Sequence, residues 1–145
     1  LRVFIDRCLE RWQLLRPEAR YELVVQGPSD RSARLPLTLE QTLINVLNNA
    51  LDASLAAGSH EPVQIDANWQ GGQLHVRVVD SGHGLASAGA SEGFGIGLIL
   101  SKTALAQLGG GLTLTARENP SGTVATIELP LESAEIPRAR EGSLP

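Results

Sequence analysis

Hydrophobic positions recur along this chain with two periods, and the alternation between them predicts most of its elements. Val3, Phe4, Cys8, Leu9, Trp12 and Leu15 fall at helical spacing over residues 1–16, and Pro17 stops the pattern. Tyr21, Leu23 and Val25 then alternate with Glu22, Val24 and Gln26, a strand ended by Gly27-Pro28. Residues 29–35 read as a polar connection. From 37 to 54, LTLEQTLINVLNNALDAS, the period is helical again. Pro36 precedes it, Thr38 and Gln41 have the capping-box spacing, and the helix should end near Gly58. Val63, Ile65, Ala67 and Trp69 next alternate with Gln64, Asp66 and Asn68, Gly71-Gly72 makes a turn, and Leu74, Val76 and Val78 alternate with His75 and Arg77. This predicts a hairpin whose second strand runs straight into Asp80. Residues 81–97 are rich in Gly and Ser, with six glycines. Leu98, Ile99, Lys102, Leu105 and Leu108 predict a helix that Gly109-Gly110-Gly111 ends. A second hairpin follows, with strands over 112–117 and 123–129 and a turn over 118–122. The domain is expected to cover residues 1–131, and 132–145, polar and without periodicity, to form a disordered tail.

The order helix, strand, helix, hairpin, glycine loop, helix, hairpin segregates helices from hairpins. It predicts an α+β domain, one sheet with helices stacked on one face. A length of 145 residues suits one domain with a proper core. Aromatics make up only 3%, so that core must be mostly Leu, Val, Ile and Ala. A net charge of −4 argues against nucleic acid or an anionic membrane as the main partner. Cys8 stands alone in a helical pattern and reads as a small buried hydrophobe. No signal peptide is visible in this stretch, and no apolar run reaches about 18 residues. Beginning at Leu1 rather than Met, the sequence reads as a piece of a longer protein, with any anchor outside it.

Three stretches carry candidate chemistry. At roughly 100° per residue, Asn45, Asn48, Asn49 and Asp52 fall on one stripe of the second helix, nearly opposite Leu39, Leu43, Val46, Leu47, Ala50 and Ser54. Asn is a mediocre helix former, so this stripe is an odd choice for a merely solvated face and suits one that holds a metal or a phosphate. The second stretch is Asp80-Ser81-Gly82-His83-Gly84, a carboxylate at a strand end followed by glycines that permit close backbone approach. Such a carboxylate can accept from an exocyclic amine such as that of adenine, although tight turns use the same residues. The third is Gly93-Phe94-Gly95-Ile96-Gly97-Leu98, whose amides at a helix start suit an anion. No strand precedes it and no βαβ unit surrounds it, which argues against a dinucleotide fingerprint.

In this order and spacing the three stretches resemble the ATP-binding domain shared by sensor histidine kinases, gyrase-type topoisomerases, Hsp90 and MutL, most of all a histidine kinase catalytic domain. The N box is Asn45-Val46-Leu47-Asn48-Asn49-Ala50, the G1 box is 80–84, the G2 box is 93–98, and Gly122-Thr123 looks like the final Gly-Thr element. The resemblance implies a two-layer sandwich of the Bergerat type, a mixed sheet of about five strands backed by three helices. It implies ATP and Mg²⁺ as cofactors. Asn49 would be the Mg²⁺ ligand and Asn45 would face the phosphates or the metal's water shell. Asp80 would bond the adenine amine, with Thr123 supporting the base through water. Gly82 and Gly84 would line base and ribose, and Gly93, Gly95, Ile96, Gly97 and Leu98 would surround the phosphates. It also implies a cytoplasmic location, an upstream dimerisation domain carrying the acceptor histidine, and a response regulator receiver domain as partners. His60, His75 and His83 are not placed as acceptors. The run LINVLNNALDAS is similar to the redox-responsive RegB/PrrB type of sensor kinase.

Position 41 discriminates within the superfamily. Hydrolysing members carry a Glu there to activate water, whereas Gln41 cannot act as a general base, which favours phosphotransfer over hydrolysis. Two features depart from the pattern. Residues 85–92, where the family has its lid, contain no Lys or Arg, and position 52, often basic, is Asp52. A transferring phosphoryl group normally meets positive charge, so a degenerate nucleotide-binding docking module stands as an alternative, beside a gyrase-, Hsp90- or MutL-type ATPase.

Overall fold

A computed structural model describes residues 1–27, 35–84, 95–117 and 121–130. The elements run α1 (Arg2–Leu15), β1 (Tyr21–Gln26), α2 (Leu37–Ala56), β2 (Val63–Gln70), β3 (Gln73–Val79), α3 (Gly95–Gln107), β4 (Gly111–Arg117) and β5 (Gly122–Pro130). The five strands form one sheet in the order β1-β2-β3-β5-β4. The predicted hairpins β2–β3 and β4–β5 are antiparallel, as is β3–β5, while β1 and β2 run parallel. Parallel neighbours need a long crossover, and α2 supplies it. The sheet is therefore mixed and backed by three helices among the described residues, the α+β sandwich expected from the sequence. The predicted tail lies outside the described residues.

Alternation decides which sheet face is covered. Val63, Ile65, Ala67 and Trp69 on β2, Leu74, Val76 and Val78 on β3, and Ala125, Ile127 and Leu129 on β5 all point into one core with Leu39, Leu43, Val46 and Leu47 of α2. On the other face Asp66 and Arg77 are paired across the strands at 3.9 Å, both about half exposed, a pairing worth about 0–1 kcal/mol. Helix α2 lies in the middle of its layer, packed on both α1 and α3. It ends in a Schellman turn: Gly58, at φ 73°, donates its N–H to the Leu55 carbonyl at 2.9 Å, and Ser59 donates to Ser54 at 2.9 Å. Helix α3 ends the same way, with Gly109 and Gly110 bonded to Ala106 and Leu105.

Two local expectations are corrected. Thr38 is not a cap: the N-cap is Pro36, in extended geometry and without a side-chain bond, so Thr38 lies inside the first turn. The fixed φ of Pro36 starts the helix two residues before the threonine could. Helix α3 begins at Gly95 rather than near Leu98, so Gly95, Ile96 and Gly97 form its first turn instead of a preceding loop. The absence of apolar periodicity there hid a turn made largely of glycine.

The polar stripe of α2 divides between two neighbours. Asn48 faces α1, where its Oδ1 accepts from Trp12 Nε1 at 3.0 Å and from Arg16 Nη1 at 3.4 Å. Asp52 accepts from Arg16 Nη2 at 2.8 Å. Trp12 is fully buried and meets Tyr21 of β1 with ring centroids 6.4 Å apart. These two polar residues thus dock α1 rather than a ligand. Cys8 is also fully buried, and desolvation, aided by Glu40, pushes its thiol up to about 12, as fits a core residue.

Replacing Trp12 by Ala removes the largest buried side chain of α1 and leaves the Asn48 carbonyl with a weaker donor. Urea denaturation is expected to show a loss of about 3–5 kcal/mol. Val3→Ala, at an exposed position on the same helix, should stay within about 0.5 kcal/mol of the parent.

Candidate functional site

The site is a small open cleft where α2, α3 and the strands β3, β4 and β5 meet. Val46, Asn49 and Ala50 of α2, Val78 and Asp80, Leu98 of α3, Leu114, Thr123 and Ala125 line it. Its walls are aliphatic and its polar groups few, the usual make-up of a ligand-binding cleft.

Asp80 follows the last residue of β3 and is only 5% exposed. A carboxylate so deep must be hydrogen-bonded. Its Oδ1 accepts from the Gly82 amide at 2.9 Å and the Thr123 amide at 3.0 Å. Its own N–H donates to the Thr123 carbonyl at 3.0 Å, and its carbonyl accepts from Arg117 Nη1 at 3.1 Å. Among the described residues no donor is bonded to Oδ2. Burial raises the carboxyl above its ordinary range, and the Gly82 and Thr123 amides and the Arg117 charge act in the opposite direction.

The glycines have distinct jobs. A Cβ on Gly82 would lie 2.9 Å from the Ala53 Cβ, so this backbone lies directly on α2. Gly84, at φ 86°, takes a conformation that side chains resist. A Cβ on Gly122 would run into the Asp80 carbonyl oxygen. Ser81 adds a tie to α2: its N–H donates to Ser54 Oγ at 3.0 Å, and its hydroxyl lies 2.6 Å from that of Ser59.

The structure brings Asn49, Asp80, Leu98 and Thr123 together around the cleft. Asn45, one turn before Asn49, is exposed and donates from Nδ2 to Ser101 Oγ at 3.1 Å, against the first turns of α3. A Cβ on Gly97 would be 4.0 Å from the same Nδ2, which sets Asn45 beside the glycine turn. Gln41 is exposed on α2 and does not line the cleft. Gly95 and Ile96 open α3, while Gly93 and residues 85–92 lie outside the described residues. Asn48 and Asp52 are directed to α1, as described. Sequence reasoning missed the contacts of Ser54, Ser81, Ser101 and Arg117, because the partner of each is distant in the chain. Among the described residues no group of three His, Cys, Asp or Glu could hold a metal, and no helix is long and apolar enough to cross a membrane.

A family model described as histidine kinase-, DNA gyrase B- and HSP90-like ATPase matches residues 35–133. The chain belongs to this ATPase family. The match starts just before α2 and ends just after β5, so it contains every residue of the cleft. Over 104 residues the chain is 31% identical to the C4-dicarboxylate transport sensor protein DctB of Rhizobium meliloti, covering 64% of this chain and 16% of that protein. Over 132 residues it is 27% identical to the sensor histidine kinase ZraS of Escherichia coli, covering 76% of this chain and 28% of that protein. The chain thus spans a minor part of either relative's length. Within the family, the resemblance to a histidine kinase ATP-binding domain holds.

The raised carboxyl of Asp80 has a stability consequence whose sign is fixed. Between 3.8, the value taken for the unfolded chain, and the higher folded value, the folded state binds the extra proton. Stability from this group therefore falls as pH rises through that window. Asp80→Asn keeps an oxygen for the Gly82 and Thr123 amides and carries no buried charge. Thermal melts at neutral pH should show it at least as stable as the parent, with its relative advantage shrinking as pH falls toward 3.8.

Proposed function

We propose that this chain binds Mg-ATP in the cleft beside Asp80. We further infer that, as part of a two-component sensor histidine kinase, it passes the γ-phosphoryl group to a histidine on a separate upstream dimerisation domain, for onward transfer to a response regulator receiver domain. The observation that carries the adenine part is the division of labour at Asp80. Two amides occupy Oδ1, leaving Oδ2 for the exocyclic amine of adenine between the aliphatic walls. Thr123 takes part twice, through main-chain bonds that fix Asp80 and through its position in the cleft wall. Gly82 and Gly84 complete the base and ribose side.

Gly93, Gly95, Ile96, Gly97 and Leu98 supply main-chain amides and the positive end of α3 for the phosphates. The donor set suits a magnesium ion that arrives on the nucleotide: Asn49 offers a neutral amide oxygen at the cleft, with no cluster of acids among the described residues. Bound there, the ion would neutralise phosphate charge. Asn45, one turn before Asn49 and beside the glycine turn, would orient phosphate oxygens or water. Gln41 lies one turn further out and offers no base to activate water, which supports transfer over hydrolysis. Cytoplasmic location follows from the same reading, since ATP and the receiver domain would both be met there.

A second reading, a nucleotide-binding docking module without transfer, draws on specific residues. Asp52 stands where a basic residue is often found and is neutralised by Arg16, and residues 85–92 bring no Lys or Arg.

Calorimetric titration is expected to show ADP and ATP binding that needs Mg²⁺ for full affinity. Asp80→Asn should weaken both nucleotides roughly tenfold or more, the size of a lost charge-assisted bond. Asn49→Ala should abolish the Mg²⁺ enhancement and spare binding measured in chelator. Absence of nucleotide binding to folded protein would rule the proposal out. With the full-length protein and ATP labelled at the γ position, an acid-labile, base-stable phosphoprotein indicates transfer. Steady phosphate release without such a product indicates an ATPase, and binding with neither indicates the docking module.

A further inference from the structure

The main chain of Asp80 is held as closely as its carboxylate, and Arg117 does part of the holding. Arg117 is the last residue of β4 and sits opposite Gly122, the first of β5. Its Nη1 reaches the Asp80 carbonyl oxygen at 3.1 Å across 37 residues of sequence. Gly122 makes this approach possible. A Cβ there would collide with the Asp80 carbonyl and come within 3.2 Å of the Arg117 Cδ. With the Asp80 N–H on the Thr123 carbonyl and Oδ1 on the Thr123 amide, the β4–β5 hairpin engages Asp80 at three of its polar atoms. The Arg117 side chain is half-buried and does not line the cleft, so it is set to act on Asp80 rather than on a ligand.

We propose that Arg117 is a positioning residue for purine selection: by gripping the Asp80 carbonyl from outside the cleft, it fixes the direction in which the Asp80 carboxylate meets the amine of the base. The inference rests on the reading of Asp80 as the adenine acceptor. A guanidinium suits the task because it stays charged and its planar fork loses little freedom when it bonds. Without it, the strand end carrying Asp80 keeps the Thr123 bonds but loses its restraint on the carbonyl side. Oδ2 then samples directions in which a base amine is no longer in line, and discrimination falls.

The test is a titration of the folded protein with ADP and with inosine diphosphate, whose base carries a carbonyl where adenine has its amine. The readout is the ratio of the two affinities. Wild type should prefer ADP, and Asp80→Asn should collapse the preference. Arg117→Ala should lower the ratio by roughly threefold to tenfold, the range for one net hydrogen bond. In combination with Asp80→Asn it should lower the ratio no further, because both act on one contact. Arg117→Lys, which keeps a charged donor, should recover part of the preference. If Arg117→Ala weakens both diphosphates equally, or leaves the ratio at the wild-type value while Asp80→Asn lowers it, the positioning role is overturned. If Asp80→Asn itself leaves the ratio unchanged, the adenine reading falls and takes this inference with it. Should the alanine variant fail to fold, Arg117→Gln, too short to reach the carbonyl, is compared with Arg117→Lys. A lower ratio for Gln than for Lys supports the role, and equal ratios refute it.

Discussion

Burying a carboxylate is costly unless donors surround it, and the middle of this domain is arranged around meeting that requirement at Asp80. The donors are main-chain amides, so they cannot be supplied by exchanging a side chain; they require particular strands in register. Thr123 reaches Asp80 only because β5 pairs antiparallel with β3, and it bonds in both directions because the two strand ends coincide. Gly82 reaches it only because its backbone lies flat on Ala53 of α2. The cleft is the space left when these demands are met together, and its aliphatic walls are the same Val46, Val78 and Ala125 that belong to the core or its margin.

Helix α2 shows how one element serves two neighbours. Asn48 and Asn49 are adjacent in sequence and about 100° apart around the axis. The first secures α1 through Trp12, and the second opens on the cleft. The two neighbouring asparagines therefore serve different surroundings: one accepts from a buried indole, the other lines the cleft. Asp52 belongs to the first group through Arg16.

The strands were legible because alternation is enforced by a sheet with one covered face, and each predicted hairpin lies where Gly71-Gly72 and the turn before Gly122 placed it. The parallel pairing of β1 with β2 was not visible in alternation, which is the same for either direction. The start of α3 was misplaced because glycine carries no apolar signal, and Thr38 resembled a cap until Pro36 took that position. Four cleft-lining residues lie within a motif and could be named from the sequence: Asn49, Asp80, Leu98 and Thr123. Arg117, Ser54 and Ser101 could not, since their meaning comes from partners 37, 27 and 56 residues away. Long-range polar contacts leave no periodicity to read.

The strand order has a consequence for biosynthesis. The last described strand, β5, occupies an interior place between β3 and β4 rather than an edge. A nascent chain that has delivered everything up to β4 still has a gap in the middle of its sheet, with β3 unpaired on one side and the apolar faces of α2 and α3 uncovered below it. Because a chain emerges from its N-terminus, this sheet must wait for β5 before the gap closes, and contacts so distant in sequence form slowly. Thr123 arrives with that strand. A chain that stops short of β5 lacks both main-chain bonds from Thr123 to Asp80, so the cleft is completed only when that strand has been made.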